Sequence, residues 1–108
     1  MHRPQLHTFV LAHLIEETLL FELLDGVPPE EKDQALATIV SLVTLACIQK
    51  VYNSIVETQI RQQYLSDVTA LLSRSMDKSI FFDRYPGSEQ LMQEQAQRTL
   101  LSLHTKNK

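Results

Sequence analysis

The chain has 108 residues, of which 44% are hydrophobic and 21% are charged, and its net charge is -3. This length suits one domain with a modest core, and the slightly acidic balance excludes an overall electrostatic attraction to nucleic acid or to an anionic membrane. The charge is uneven, because residues 1–33 carry seven acidic and two basic side chains, a charge of -5, and the remaining residues carry +2. The acidic part is typical of a solvated helix face, and the alternative is contact with a basic partner or with the basic end of a second copy.

Glycine and proline mark the ends of the predicted elements. Residues 30–85 contain neither, and their apolar residues recur at three- and four-residue spacing, which is typical of long helices. Gly26 is placed to close the first helix as a left-handed cap, and Ser88 to begin the last. The sequence therefore predicts an all-α protein, a three- to four-helix bundle with a long apolar central helix. The predicted helices cover about 5–25, 29–63, 67–76 and 88–104.

The boundary between the second and third helices carries no proline or glycine. The apolar period continues through Tyr64 as far as Met76, but a single helix of roughly fifty residues would be unusual in a compact domain. We therefore expect a break near Tyr64, with Ser66 or Asp67 capping the third helix. Without that break, the protein would be an elongated dimer.

The second helix carries the most apolar stretch of the chain. No charged residue occurs from Gln34 to Gln49, and apolar residues lie on nearly every side of the helix. In a soluble protein such a helix must be surrounded, either by the other helices or by a second copy of itself. We expect it to mediate self-association. The candidate residues are Ile39, Val43, Ala46 and Tyr52.

Membrane insertion is the alternative for this stretch. Crossing the hydrocarbon core takes about 20 predominantly apolar residues, and the uncharged run is shorter and contains Thr38, Ser41 and Thr44. These hydroxyl groups can bond to the preceding turn and allow another helix to approach closely. We therefore expect helix packing, and no membrane partner.

The single cysteine and the N-terminal region both favour a cytoplasmic location. Cys47 has no partner for an intramolecular disulfide, which favours a reducing compartment, and we expect it to behave as a small buried hydrophobic residue. The apolar run from Phe9 to Ile15 is followed at once by Glu16 and Glu17, unlike the apolar region of a secretory signal.

Three of the chain's seven aromatic residues lie within five positions, between Ile80 and Gly87. Aromatic residues and arginine are favoured at protein interfaces, and Pro86 biases the preceding residue toward an extended conformation. We expect the two phenylalanines to close the open end of the bundle while the tyrosine packs over the turn. The alternative is a partner-binding site, for which this segment is the best candidate of the chain, through Phe81, Phe82, Arg84 and Tyr85.

Four features follow one another along the chain: a Pro-Pro-Glu-Glu-Lys helix start, a long apolar helix, a short leucine-rich helix at 67–72, and a Phe-x-x-x-x-Pro turn at 81–86 before an amphipathic tail helix. In this order they resemble small all-helical bacterial domains of unassigned function. The resemblance implies an all-helical fold and a bacterial or phage origin. It implies no catalytic or binding residues.

The sequence contains no recognisable catalytic, cofactor or metal motif. Two glycines 61 residues apart cannot form a phosphate loop or a nucleophile elbow. No two histidines have the i, i+4 spacing of ligands on one helix face, and His13 with Glu16 and Glu17 falls short of the ligand set that a di-metal bundle uses. The arginines are scattered. We therefore predict no enzyme activity, no catalytic residue, no cofactor, no metal and no nucleic-acid partner.

The function that the sequence favours is a small non-catalytic protein-interaction module. It would act as an adaptor, a chaperone-like protein or a regulatory subunit, as a homodimer, with another protein, or both. One alternative is a small helical nucleic-acid-linked regulator, which would gather the C-terminal arginines on one surface and bind DNA in a salt-dependent way. The other is a membrane-associated helical protein, which would partition with detergent or lipid.

Overall fold

Helices account for most of residues 6–106, the part of the chain that the computed structural model describes. Three 3-10 turns accompany them, at Leu6–Thr8, Ala12–Leu14 and Pro29–Glu31, and no strand occurs among these residues. The predicted all-α fold class and the long apolar helix are confirmed, although five helices are present where three or four were predicted. They are α1 (Glu17–Leu24), α2 (Lys32–Ser54), α3 (Thr58–Leu72), α4 (Lys78–Arg84) and α5 (Ser88–Lys106).

The core forms mainly where α2 packs against α5. Val43 of α2 is 1% exposed, and Ala96 of α5 is completely buried. Between the two helices, the Cys47 thiol of α2 donates a hydrogen bond to the Met92 carbonyl of α5 at 3.2 Å. Burial raises the pKa of Cys47 to about 11, so the residue is a protonated thiol at neutral pH and lacks the thiolate that reactivity requires.

The predicted first helix is wrong over its N-terminal half. Residues 6–15, here called the N-terminal segment, form two separate 3-10 turns, and α1 begins only at Glu17. The predicted start at Gln5 lies outside the described residues. The irregular path has a packing reason, because in a straight helix the buried side chains of this segment would spread over about two thirds of the circumference. The bent path brings them all to the core; they are Leu6, Leu11, Ala12, Leu14 and Ile15.

The predicted break near Tyr64 is also wrong. The central helix ends at Ser54 instead of residue 63, the chain turns through residues 55–57, and Tyr64 and Asp67 lie inside α3. The turn is fastened by Arg61, whose Nε donates to the Ile55 carbonyl at 2.6 Å. Turning there folds α3 back along α2, so that Tyr64 is completely buried and its hydroxyl donates to the Ile48 carbonyl at 2.9 Å. Burial of this one aromatic ring explains why the break comes earlier than the apolar period suggests.

No helix was predicted for the aromatic segment, but it is helical as far as Arg84. Asp77 precedes α4 and caps its N-terminus, because its Oδ1 accepts a hydrogen bond from the Ser79 N–H at 2.9 Å. The backbone leaves the helical conformation only at Tyr85, before Pro86. The aromatic side chains are therefore placed by a helix that packs on α3.

The molecule is flat, and α2 is covered mainly on one side. Its extents are 45 × 28 × 17 Å, and the shortest of these leaves room for two layers of helices. α2 packs chiefly on α5 and less on α1 and α3. On the opposite side of α2, Leu42 and Leu45 are 47% and 63% exposed.

Candidate functional site

The aromatic residues proposed as partner contacts lie mostly inside the fold. Phe81 is completely buried, and its ring centroid lies 5.8 Å from that of Tyr64, 5.3 Å from that of Phe82 and 5.1 Å from that of Tyr85. Phe82 and Tyr85 are half-buried against the same core. Phe81 therefore offers no surface to a partner; it has the expected core role, and its candidacy as a partner contact is corrected.

A buried carboxylate explains the position of Tyr85 and Arg84. Asp67 of α3 is 3% exposed. One of its oxygens accepts from the Tyr85 hydroxyl at 2.7 Å, and the other accepts from Arg84 Nη1 and Gln63 Nε2, both at 3.1 Å. We call these four residues the Asp67 cluster. It fastens the end of α4 to the middle of α3.

The protonation states in the Asp67 cluster suit a structural role. Burial alone would raise the pKa of Asp67, but hydrogen bonds from Tyr85, Gln63 and Arg84, together with the Arg84 charge, lower it below its usual value. Burial, followed by the bond to this carboxylate, raises the pKa of Tyr85. A general base that works near neutral pH needs a raised pKa and a free lone pair toward its substrate. Asp67 has a lowered pKa and its oxygens are already engaged.

Two histidine–glutamate pairs tie the N-terminal part of the chain to α5. His13 Nε2 lies 3.0 Å from Glu89 Oε2, and His104 Nε2 lies 3.3 Å from Glu22 Oε2. His13 thus pairs with a distant glutamate instead of the neighbouring Glu16 and Glu17. Lys78 Nζ lies 3.5 Å from the other ring nitrogen of His13. Within residues 6–106, no group of three or more His, Cys, Asp or Glu side chains is placed to hold a metal ion.

The residues expected to mediate self-association are buried or half-buried within the single chain. Val43 lies in the core of its own chain at 1% exposure. Ile39, Ala46 and Tyr52 are half-buried, and the Arg61 guanidinium covers the Tyr52 ring at 4.9 Å from its centroid. Val43 is therefore corrected to a core residue. The reason is that it shares the helix face that packs on α5, which an all-round apolar helix does not reveal in its sequence.

The exposed side of α2 consists of other residues, which we call the α2 outer face. Its two large apolar side chains are Leu42 and Leu45, and all of its polar members are uncharged. Sequence reasoning missed both leucines because α2 has apolar residues on every side. The one signal in the sequence was the row of hydroxyl side chains Thr38, Ser41 and Thr44, of which the first two lie on this face. The α2 outer face comprises Thr38, Ser41, Leu42, Leu45 and Gln49.

A groove of about 410 Å³ runs beside the α2 outer face, between α2 and the N-terminal segment. We call it the α2 groove. Leu45 belongs to both features, and no charged side chain lines the groove. Three parts of the chain supply its main apolar lining. The N-terminal segment contributes Phe9 and Val10, α2 contributes Leu45 and Ile48, and α3 contributes Leu72.

The α2 groove is mainly apolar, and neither the groove nor the α2 outer face carries a charge, which suits binding by hydrophobic contact. By length and composition, the stretch Pro29–Ser54 is the one helical stretch within residues 6–106 that could cross a membrane. In this fold its inner side is covered by α5. Comparison with protein-family models, curated proteins and solved structures finds no match to the chain.

Proposed function

We propose that the protein is a small non-catalytic interaction module that binds another protein chain through the α2 outer face and the α2 groove. The observation that supports this is the exposure of Leu42 and Leu45 on an uncharged face of the longest helix. Fully burying an exposed leucine side chain contributes about 1.5–3 kcal/mol. Because Leu42 and Leu45 are 47% and 63% exposed, covering both would contribute about as much as burying one such side chain.

The surroundings of these leucines strengthen the proposal. Single exposed apolar residues are ordinary on protein surfaces, whereas adjoining ones beside a groove mark interaction sites. Leu45 adjoins Ile48 and Leu72 along the α2 groove. An adaptor or regulatory subunit needs a preformed apolar site of this kind and needs no catalytic group.

Photo-crosslinking tests the proposed function. A photoreactive residue in place of Leu45 should give crosslinks to protein chains in cells that produce the protein. The same residue in place of Gln97, an exposed position of α5, should give few. Equal yields at the two positions, or no protein crosslink at position 45, would contradict the proposal.

Membrane association is the second candidate function, because the apolar stretch Pro29–Ser54 is long enough by composition to enter a bilayer. It predicts that the protein floats with phosphatidylcholine vesicles in a density gradient and that Leu45→Glu abolishes flotation. The interaction module predicts that the protein stays at the bottom of the gradient.

The nucleic-acid alternative has less support. Three arginines that would have to contact phosphates are engaged within the chain: Arg61 with the Tyr52 ring, Arg84 with Asp67, and Arg74 with the Thr8 carbonyl.

A further inference from the structure

We propose that the occupant of the α2 groove is a second copy of this chain, placed so that the α2 outer face of each copy lies against the groove of the other. The inference rests on the proposed function and identifies its partner. It is carried by the charge, the shape and the exposure of the surface around α2.

The charge pattern suits contact between identical surfaces. In a two-fold dimer, a residue near the axis faces its own copy, so a charged residue there would meet a like charge. The sequence has no charged residue from Gln34 to Gln49, a length of about 24 Å of helix. The α2 outer face can therefore meet its copy without like-charge repulsion.

The ridge and the groove lie side by side, which allows a self-complementary contact. The α2 outer face is a ridge that carries Leu42 and Leu45, and the α2 groove lies directly beside it. A two-fold rotation about an axis near Ser41 brings the ridge of each copy opposite the groove of the other. The small side chains of Thr38 and Ser41 allow the two helices to approach to the ordinary interaxial distance of about 8–10 Å.

The exposure of the leucines on α2 favours such a contact. Leu42 and Leu45 are 47% and 63% exposed in the single chain, and a second copy on this side would cover both. A second copy on the α2 side would also turn a flat molecule 17 Å thick into one with α2 at its centre.

A lipid surface fits this face less well. Helices that lie on membranes usually combine apolar residues with lysine or arginine on the polar face and with aromatic residues at the boundary. The polar residues of the α2 outer face are threonine, serine and glutamine. Hydroxyl and amide groups of this kind can bond to the same groups of a second copy.

Light scattering after size-exclusion chromatography, in buffer without detergent and over a wide concentration range, tests the inference. The wild type should have twice the chain mass of 12.4 kDa. Leu45→Glu places two carboxylates in the interface and should raise the dimer Kd by roughly a hundredfold, about 2.7 kcal/mol. Because Leu45 is 63% exposed in the monomer, the variant should keep the wild-type circular dichroism spectrum.

Leu101→Glu is the matched control. Leu101 is exposed to 46% on α5, so this variant introduces the same charge at an exposed leucine and should remain a dimer. Oxidation of Ser41→Cys should yield a disulfide-linked dimer, and the wild type should not, since its Cys47 is 1% exposed.

Three results would overturn the inference. They are a wild type that stays monomeric at all concentrations, a Leu45→Glu variant that remains a dimer, and a Leu101→Glu variant that dissociates as fully as Leu45→Glu. If the wild type is monomeric while position 45 crosslinks to a different protein in cells, the proposed function stands and the second-copy inference fails. If neither association is found, both fail.

Discussion

Asp67 is the one acidic side chain buried within residues 6–106. Its carboxylate depends for hydrogen bonds on residues far along the chain. A buried carboxylate without partners would destabilise the fold by several kcal/mol. Three donors prevent this, and they differ in strength. The Arg84 side chain is 51% exposed, so solvent screens its charge. The Tyr85 hydroxyl is half-buried and makes the shortest bond, at 2.7 Å.

Removing the Tyr85 hydroxyl should destabilise the protein. Tyr85→Phe keeps the ring that packs on Tyr64 and Phe81 but leaves the buried carboxylate short of one donor. We expect the free energy of unfolding, measured by urea denaturation, to fall by about 1–3 kcal/mol. Tyr52→Phe is the control, since the Tyr52 hydroxyl makes none of the hydrogen bonds found among residues 6–106. Equal effects of the two substitutions would show that the bond to Asp67 is not stabilising.

Acid should remove the contribution of the ionised Asp67 carboxylate. Because its pKa is lowered in the folded state, the ionised group stabilises the fold above the unfolded pKa of about 3.9, and this stabilisation is lost as the pH falls through the folded pKa. Asp67→Asn does not titrate at this site. The stability difference between wild type and Asp67→Asn should therefore be constant near neutral pH and should narrow below about pH 4.

Urea denaturation of both proteins from neutral pH down to about pH 3 measures this difference. Asp77 also has a lowered pKa, through its bonds to Ser79, but it is present in both proteins and cancels. A stability difference that does not change with pH would contradict the lowered pKa of Asp67.

At the scale of the elements, the helix starts differ in how well they are capped. The Glu16 side chain accepts from the Thr18 N–H at 3.3 Å before α1, and the Asp77 side chain accepts from the Ser79 N–H before α4. Glu57 precedes α3 with a suitable extended backbone, but its side chain makes no capping bond. The N–H groups of the first turn of α3 therefore lack a side-chain cap, so the start of α3 is the weakest of the three.

Shortening Glu57 should therefore stabilise the protein. Glu57→Asp keeps the charge near the helix N-terminus and brings an oxygen within reach of the free N–H groups of the first turn, so we expect a gain of about 0.5–1 kcal/mol in the free energy of unfolding. Glu16→Ala should lower the free energy of unfolding by a similar amount, because it removes an existing cap of α1. Thermal or urea denaturation measures both, and Glu57→Gln, which keeps the length, should show little change. A gain with Glu57→Gln equal to that with Glu57→Asp would contradict the capping explanation.

The element ends that the sequence predicted are those marked by glycine or proline. Gly26 follows α1 with a φ of 86°, and α5 begins at Ser88, directly after the Pro86-Gly87 pair. The turns at Ile15-Glu16 and at residues 55–57 carry no such residue. They exist because burial of side chains elsewhere, such as the Tyr64 ring, favours bending the chain there, and a local pattern does not contain that information.

At the scale of the whole molecule, the candidate site was only partly predictable. The uncharged run of α2 indicated the helix that carries the candidate site, but with apolar residues all around it, the sequence could not distinguish the buried Val43 from the exposed Leu45. The aromatic segment was ambiguous for a related reason, since phenylalanine and tyrosine serve equally as interface anchors and as core residues. The carboxylate that positions Tyr85 lies 18 residues away, and no local motif links the two.

The N-terminal segment combines a backbone without α-helix with several bordering cavities. Cavities of about 310, 350 and 410 Å³ border it, and Phe9 and Val10 contribute to all three. Its backbone forms short 3-10 turns, whose hydrogen bonds are weaker than those of an α-helix. Polar contacts from Arg74 to the Thr8 carbonyl and from His13 to Glu89 attach it to the rest of the fold.

Amide hydrogen exchange should show a difference in local stability. Segments with irregular or exposed backbone hydrogen bonds open locally at a lower free energy than the global unfolding reaction, so peptides covering residues 6–16 should exchange well before those covering 40–51 and 92–100. Arg74→Ala removes the contact with Thr8 and should accelerate exchange in the N-terminal segment alone, whereas Arg98→Ala, at an exposed position of α5, should leave the pattern unchanged. Equal protection of all three regions in the wild type would mean that the segment unfolds together with the α2–α5 core, and the cavities beside Phe9 and Val10 would then not mark a separately opening part of the fold.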